Sequence, residues 1–196
     1  MGNDLRSAIR PSVVMLLLFT ILTGLAYPAL LTGIAQTVFP AQANGSLIRN
    51  GDTVVGSELI GQVFAAPKYF HGRPSAAGKG YDASASSGSN LGPTSKALVD
   101  RVRSDLKSVR ADGLTGPVPA DMVTASASGL DPDVSPETAY AQVARVAAAR
   151  DLAPGVVKAM VDAAVVEPLA GVLGERRVNV LMLNRQLDAA GAKPAA

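Results

Sequence analysis

The chain has 196 residues, 18 of them basic and 16 acidic, with a single histidine and no cysteine. This near balance gives no clustered basic face for nucleic acid, and the absence of cysteine excludes a disulfide framework and a thiolate metal site. With no Trp, four Phe and four Tyr, the core must be built from Val, Leu and Ala.

In chain order, the first element is the most informative. The 38 positions between Arg10 and Arg49 hold no charged residue and no histidine. Val13 to Val38 is overwhelmingly apolar and would rise about 39 Å as a helix at about 1.5 Å per residue. A bilayer's hydrocarbon core is about 30 Å thick. The run therefore predicts one membrane-spanning helix, with a kink at Pro28. A cleavable signal is the competing reading, with Ala41-Gln42-Ala43 as its cleavage site, but signal cores run only about 7–15 apolar residues.

Arg6 and Arg10 lie just before the span and the next basic residue is Arg49, so the positive-inside rule puts the N-terminus in the cytoplasm. The expected organisation is a cytoplasmic N-terminus (1–11), a transmembrane helix (12–39) and an extracytoplasmic domain (40–196). Small residues at Thr20/Gly24 and Ala29/Gly33 have the spacing that lets membrane helices approach closely.

After the span, Ser46–Ile48 and Thr53–Val55 flank Asn50-Gly51, a hairpin signal of the type I′ kind. A third extended piece is expected at Lys68–Phe70. Ser75 to Ser95 follows, rich in Gly, Ser and Ala, a length of loop that is functional or disordered when it occurs in a compact domain. The apolar period of Leu98, Val99, Val102, Leu106 and Val109 predicts an amphipathic helix over about Ser95–Arg110. Ser135-Pro136-Glu137 supplies an N-cap, a first-turn proline and an acid for a helix ending near Arg150. Another helix is expected from Pro154 to Val166. Val178-Asn179-Val180 reads as strand or helix, and Leu181–Leu187 as helix. Short strands followed by about four helices predict an α+β domain behind a single N-terminal span.

The chemistry sought is mostly missing. His71 sits in a Gly/Pro-rich stretch, and the roughly four ligands of a zinc site cannot be assembled. No Gly-x-Ser-x-Gly elbow and no Walker A loop occur. No catalytic, cofactor or metal residues are assigned. Two loops stand out for their hydroxyls, amides and backbone donors: Ser86–Pro93 and Thr124–Pro132. Such loops cradle ions or form Asx and Ser turns. The candidates for an interaction surface are Arg73, Ser89, Asn90, Asp131, Gln142 and Arg145.

Taken as strings, Leu59-Ile-Gly-Gln-Val-Phe64, Tyr69-Phe-His-Gly-Arg-Pro-Ser75, Ser87-Gly-Ser-Asn-Leu-Gly-Pro93, Thr124-Ala-Ser-Ala-Ser-Gly-Leu-Asp-Pro132 and Arg177-Val-Asn-Val-Leu-Met-Leu-Asn184 resemble the C subunit of the Kdp potassium-transporting ATPase. The resemblance covers nearly the whole chain. It departs at Ala127, where the family tends to have glycine, and at Asp133 and Val134. It implies a non-catalytic accessory subunit in a bacterial inner membrane. The implied partners are a channel-like potassium-translocating subunit, a P-type ATPase subunit and a small single-span subunit. It further implies a role in assembly and a higher ATP affinity of the ATPase subunit, with ATP and potassium handled by the complex. The rivals are a membrane-tethered serine hydrolase using His71 and a free-standing solute- or ion-binding module.

Overall fold

The apolar N-terminal run is realised as helix. In the computed structural model, which describes residues 2–191 with side chains from Arg6 onward, helix α1 (Gly2–Ile21) passes through a π turn (Leu22–Ala26) into α2 (Tyr27–Val38). Pro28 has no N–H and its ring crowds the carbonyl four residues back, that of Gly24. The π turn contains Gly24 and absorbs this conflict, its closing bond running from Tyr27 N–H to the Leu22 carbonyl. The helix therefore continues through Pro28, by way of the wide turn. A short helix, α3 (Pro40–Ala43), ends this first unit, which closes at Leu47.

From Ile48 onward the chain forms a second compact unit. Strands β1 (Leu47–Asn50) and β2 (Thr53–Ser57) make a hairpin. Its central residues are Gly51-Asp52, one place later than the sequence signal suggests. Gly51 has φ +60° and Asp52 is not left-handed, as in a type II′ turn, which needs glycine at its first central position.

The body is built around a small antiparallel sheet. β5 (Arg177–Asn179) lies between β3 (Asp133–Val134) and β4 (Val165–Val166), with Val178 opposite both Val134 and Val165. Helices α5 (Pro136–Arg150), α6 (Pro154–Ala164) and α7 (Val180–Gly191) pack in sequence and all touch β5. The core is aliphatic with one aromatic: Phe70, Val146, Val157, Val161, Val178, Leu183 and Leu187 are fully buried. The domain is thus α+β with four main helices, α4 (Lys96–Ala111) being the fourth.

Local chemistry explains the boundaries. The Ser135 hydroxyl accepts from Thr138 N–H at 3.1 Å and Pro136 opens α5, which ends where Asp151 turns left-handed at φ +54°. Val165 and Val166, expected at the end of a helix, are instead strand: both are β-branched and pair with β5 ahead of Pro168. Asn179 settles the ambiguous Val178–Val180 stretch. It closes β5, and its side-chain oxygen accepts from Met182 N–H at 3.0 Å, capping α7.

Lys68–Phe70 is not a strand. Side chains hold it in place of a strand ladder. The buried Asn184 amide accepts from Phe70 N–H at 2.8 Å and donates to the Phe70 carbonyl at 2.9 Å. Arg145 donates to the carbonyls of Pro67 and Tyr69 at 2.6 and 3.0 Å, and Arg150 to that of Lys68 at 2.7 Å. α4 has its expected period but no buried residue, since Leu98, Val102, Leu106 and Val109 are only half covered.

Candidate interaction surface

The two Ser/Gly loops fold onto each other. Ser87 N–H and the Ser86 hydroxyl both donate to the Ser128 carbonyl, at 3.0 and 2.9 Å. The Ser75 hydroxyl donates to the Gly129 carbonyl at 2.6 Å and accepts from Tyr81 N–H at 2.8 Å. Gly129, at φ +67°, has no room for a side chain: a Cβ would lie 2.7 Å from both Ala77 N and the Ser87 carbonyl oxygen. The six polar groups in these bonds satisfy one another, as ordered polar groups in a folded chain usually do.

Arg73 ties the pair to the body. Its guanidinium meets the Asp131 carboxylate at 2.8 Å, both side chains about a quarter exposed, and Asp131 also accepts from Asp133 N–H at 3.1 Å. The Tyr81 hydroxyl donates to the Arg73 carbonyl at 2.6 Å. Burial, and then the Asp131 charge, push the Tyr81 phenol up to about 12, so it remains a donor at any physiological pH.

The other candidates divide. Asn90 is exposed with φ +51°, a backbone state that Asn tolerates better than most residues. Ser89, beside it, is half-buried. Gln142, expected on the surface, lies inside the fold at 3% exposure, where it accepts from His71 N–H at 2.8 Å and donates to the His71 carbonyl at 3.1 Å. It faces inward because the buried stripe of α5 runs through Ala139, Gln142, Val143 and Val146. Arg145, half-buried, donates to Gln142 at 2.6 Å besides its two carbonyl bonds.

A cavity of about 390 Å³ lies between the C-terminal half of α4, residues 71–74 and α5, and includes His71, Arg73, Asp105, Asp112 and Arg145 in its lining. Burial first, then the Arg145 charge, hold His71 below its usual value. Its Nε2 lies 3.3 Å from the Ala66 carbonyl oxygen and 3.5 Å from Arg145 Nη1. Among the described residues, no group of three or more His, Asp or Glu could hold a metal ion.

Sequence reading missed Asp121. Its carboxylate accepts from Ser135 N–H at 2.7 Å, from the Ser135 hydroxyl at 3.1 Å and from the Thr138 hydroxyl, fixing the start of α5. Asn184 was missed as well, although a signal existed: it is the one amide in the stripe Val180, Leu183, Asn184, Leu187.

In the first unit, Arg6–Val38 is long and apolar enough to cross a membrane, and its most apolar 18-residue stretch has a mean hydropathy of 2.2 with none of it buried. The hydroxyls of Thr23 and Thr37 donate to carbonyls one turn back, Phe19 at 2.6 Å and Gly33 at 3.0 Å, as a span must keep its polar groups satisfied internally. The pairs Thr20/Gly24 and Ala29/Gly33 are nine residues apart, hence on opposite faces of a regular helix. The extra residue of the π turn rotates the second pair by about 100° towards the first. A Cβ on Gly24 or Gly33 would meet nothing within 4 Å.

These features define a membrane protein with a long apolar helix followed by an α+β domain. The family model described as K+-transporting ATPase, c chain, matches residues 9–189. Proteins named Potassium-transporting ATPase KdpC subunit are similar throughout. The one from Caulobacter vibrioides (strain NA1000 / CB15N) is 59% identical over 184 residues, 93% of each chain. That from Allorhizobium ampelinum is 57% identical over 187 residues, covering 95% of this chain and 98% of that one. That from Gemmatimonas aurantiaca is 56% identical over 186 residues, 94% of each. The chain belongs to the KdpC family, and so is a subunit of a potassium-transporting ATPase.

Proposed function

We propose that the chain is a non-catalytic accessory subunit. Its span is retained as an anchor with the N-terminus in the cytoplasm, and its α+β domain lies outside the cytoplasm of a bacterial inner membrane. Its partners are the channel-like potassium-translocating subunit, the P-type ATPase subunit and a small single-span subunit. The observation that carries this reading is the uncovered apolar helix Arg6–Val38. Lipid and neighbouring helices are its natural surroundings, and small residues along it allow close packing.

The domain's role is assembly. Its two Ser/Gly loops spend their polar groups on each other and on the fold, and Asn90 is presented at the exposed edge. Potassium and ATP are handled by the other subunits. A higher ATP affinity of the ATPase subunit is then transmitted through the assembled complex, since this sequence has no phosphate-cradling Walker loop.

The test is deletion of residues 2–42 in cells that depend on the pump. The shortened chain should fold yet fail to restore potassium uptake or to co-purify with the pump. Full assembly and uptake would show that the anchor is dispensable.

A further inference from the structure

Between β4 and β5 the chain makes a ten-residue ribbon, residues 167–176, that the function above does not use. It is ordered. Leu169 and Leu173 exchange both backbone hydrogen bonds at 3.0 Å, and Gly171 N–H donates to the Pro168 carbonyl at 3.0 Å. Below them, Arg176 Nε donates to both oxygens of Glu167, at 3.0 and 3.2 Å. Ala170 takes φ +53° at the tip, a left-handed state that residues with a side chain seldom adopt. On this fixed turn Leu169 is 73% exposed, Val172 79% and Leu173 64%.

We infer that the Leu169–Leu173 tip is a docking knob that seats in an apolar socket on another protein subunit of the same pump. This rests on the proposed reading as an assembly subunit. Three large apolar side chains exposed within five residues of one turn mark an interaction site. The flanking charges select the partner. Glu167 and Glu175 stand with Arg176 and Arg177, and Arg177 is paired with Asp133 at 3.0 Å, leaving the collar with no basic excess. An anionic bilayer surface attracts basic clusters, and interfacial anchors are Trp, Tyr, Lys and Arg. The ribbon has no aromatic residue and no lysine, so a socket rimmed with both signs of charge fits better than lipid. Size argues against a second copy of this chain. A stable free-standing interface takes about 20–30 residues a side, whereas three side chains suit one anchor within a contact already held together by a common membrane.

The experiment places photoreactive benzoylphenylalanine at position 172 of the full chain, co-expressed with the pump subunits in membranes. The expected product is an adduct with another pump subunit, identified by its peptides. Leu169→Ser with Leu173→Ser should lower its yield at least about tenfold, the scale of one lost anchor. Leu169→Met with Leu173→Met should restore it. The melting temperature should be unchanged throughout, because neither leucine is buried. An adduct with lipid alone, an adduct of two copies of this chain, or no adduct from a chain that still co-purifies with the pump would each overturn the knob. A wild-type chain that co-purifies with no pump subunit would instead refute the assembly reading, and the inference with it.

Discussion

Two amides do for residues 70 and 71 what a neighbouring strand would do. Asn184 takes both backbone groups of Phe70 and Gln142 both of His71, so the segment threads the core without a ladder. At the edge of this network, Asp131 and Asn90 should separate on substitution. Asp131→Ala strands Arg73 and the Asp133 N–H, a loss of about 1–2 kcal/mol that lowers the melting temperature by about 3–6 °C. Asn90→Ala, exposed, should leave melting within about 2 °C of wild type while reducing potassium uptake. Equal losses of melting and uptake for Asn90→Ala would make it a structural turn. His71 gives a pH signature. Its folded value is lowered by burial and by Arg145, so the unfolded chain binds the proton more readily. The stabilisation is full above about pH 6.5 and is lost as pH falls below it. In detergent, His71→Gln should therefore lose less stability than wild type between about pH 7.5 and 5.5; an identical slope would contradict this. The sequence disclosed the loops and Arg73, but not the amide clamps. Polar residues within an apolar stripe say that a partner exists, and only the fold shows that the partner is a distant backbone.

At the scale of elements, helix starts were legible because their signals are local: Ser135 caps α5 ahead of Pro136, and Pro154 opens α6. So were the ends of α4 and α5 and the β1–β2 hairpin, whereas the end of α6 and the strands β3 and β4 were not. Val165-Val166 continues an apolar helical run, and becomes strand only because Val178 stands opposite. Lys68–Phe70 has strand composition, yet its backbone groups go to side chains from α5 and α7. The N-terminal helix was the most legible element, since its length and lack of charge leave few alternatives; the π turn at Pro28 was not foreseen. Its orientation rests on Arg6 and Arg10. A reporter that works only outside the cytoplasm, fused after Ala196, should be active. An inactive reporter in a stable, membrane-inserted fusion would reverse the proposed topology.

At the scale of the whole molecule, the chain joins an apolar helix long enough to cross a membrane to a domain whose two Ser/Gly loops bond to each other. In the domain, the His71 ring faces the Ala66 carbonyl and Arg145. Among the outward-facing features are the apolar helix, the exposed loop edge at Asn90 and the apolar tip at Leu169–Leu173, all suited to contact with other proteins. Family membership was readable from five long strings in order, whereas which side chains end up exposed was not, because exposure depends on how the chain packs. The most direct measurement is purification of the tagged full-length chain from its native membrane in mild detergent. The P-type ATPase and channel-like subunits should come with it in fixed proportion. A chain recovered as a free monomer, from membranes in which the other pump subunits are present, would contradict this.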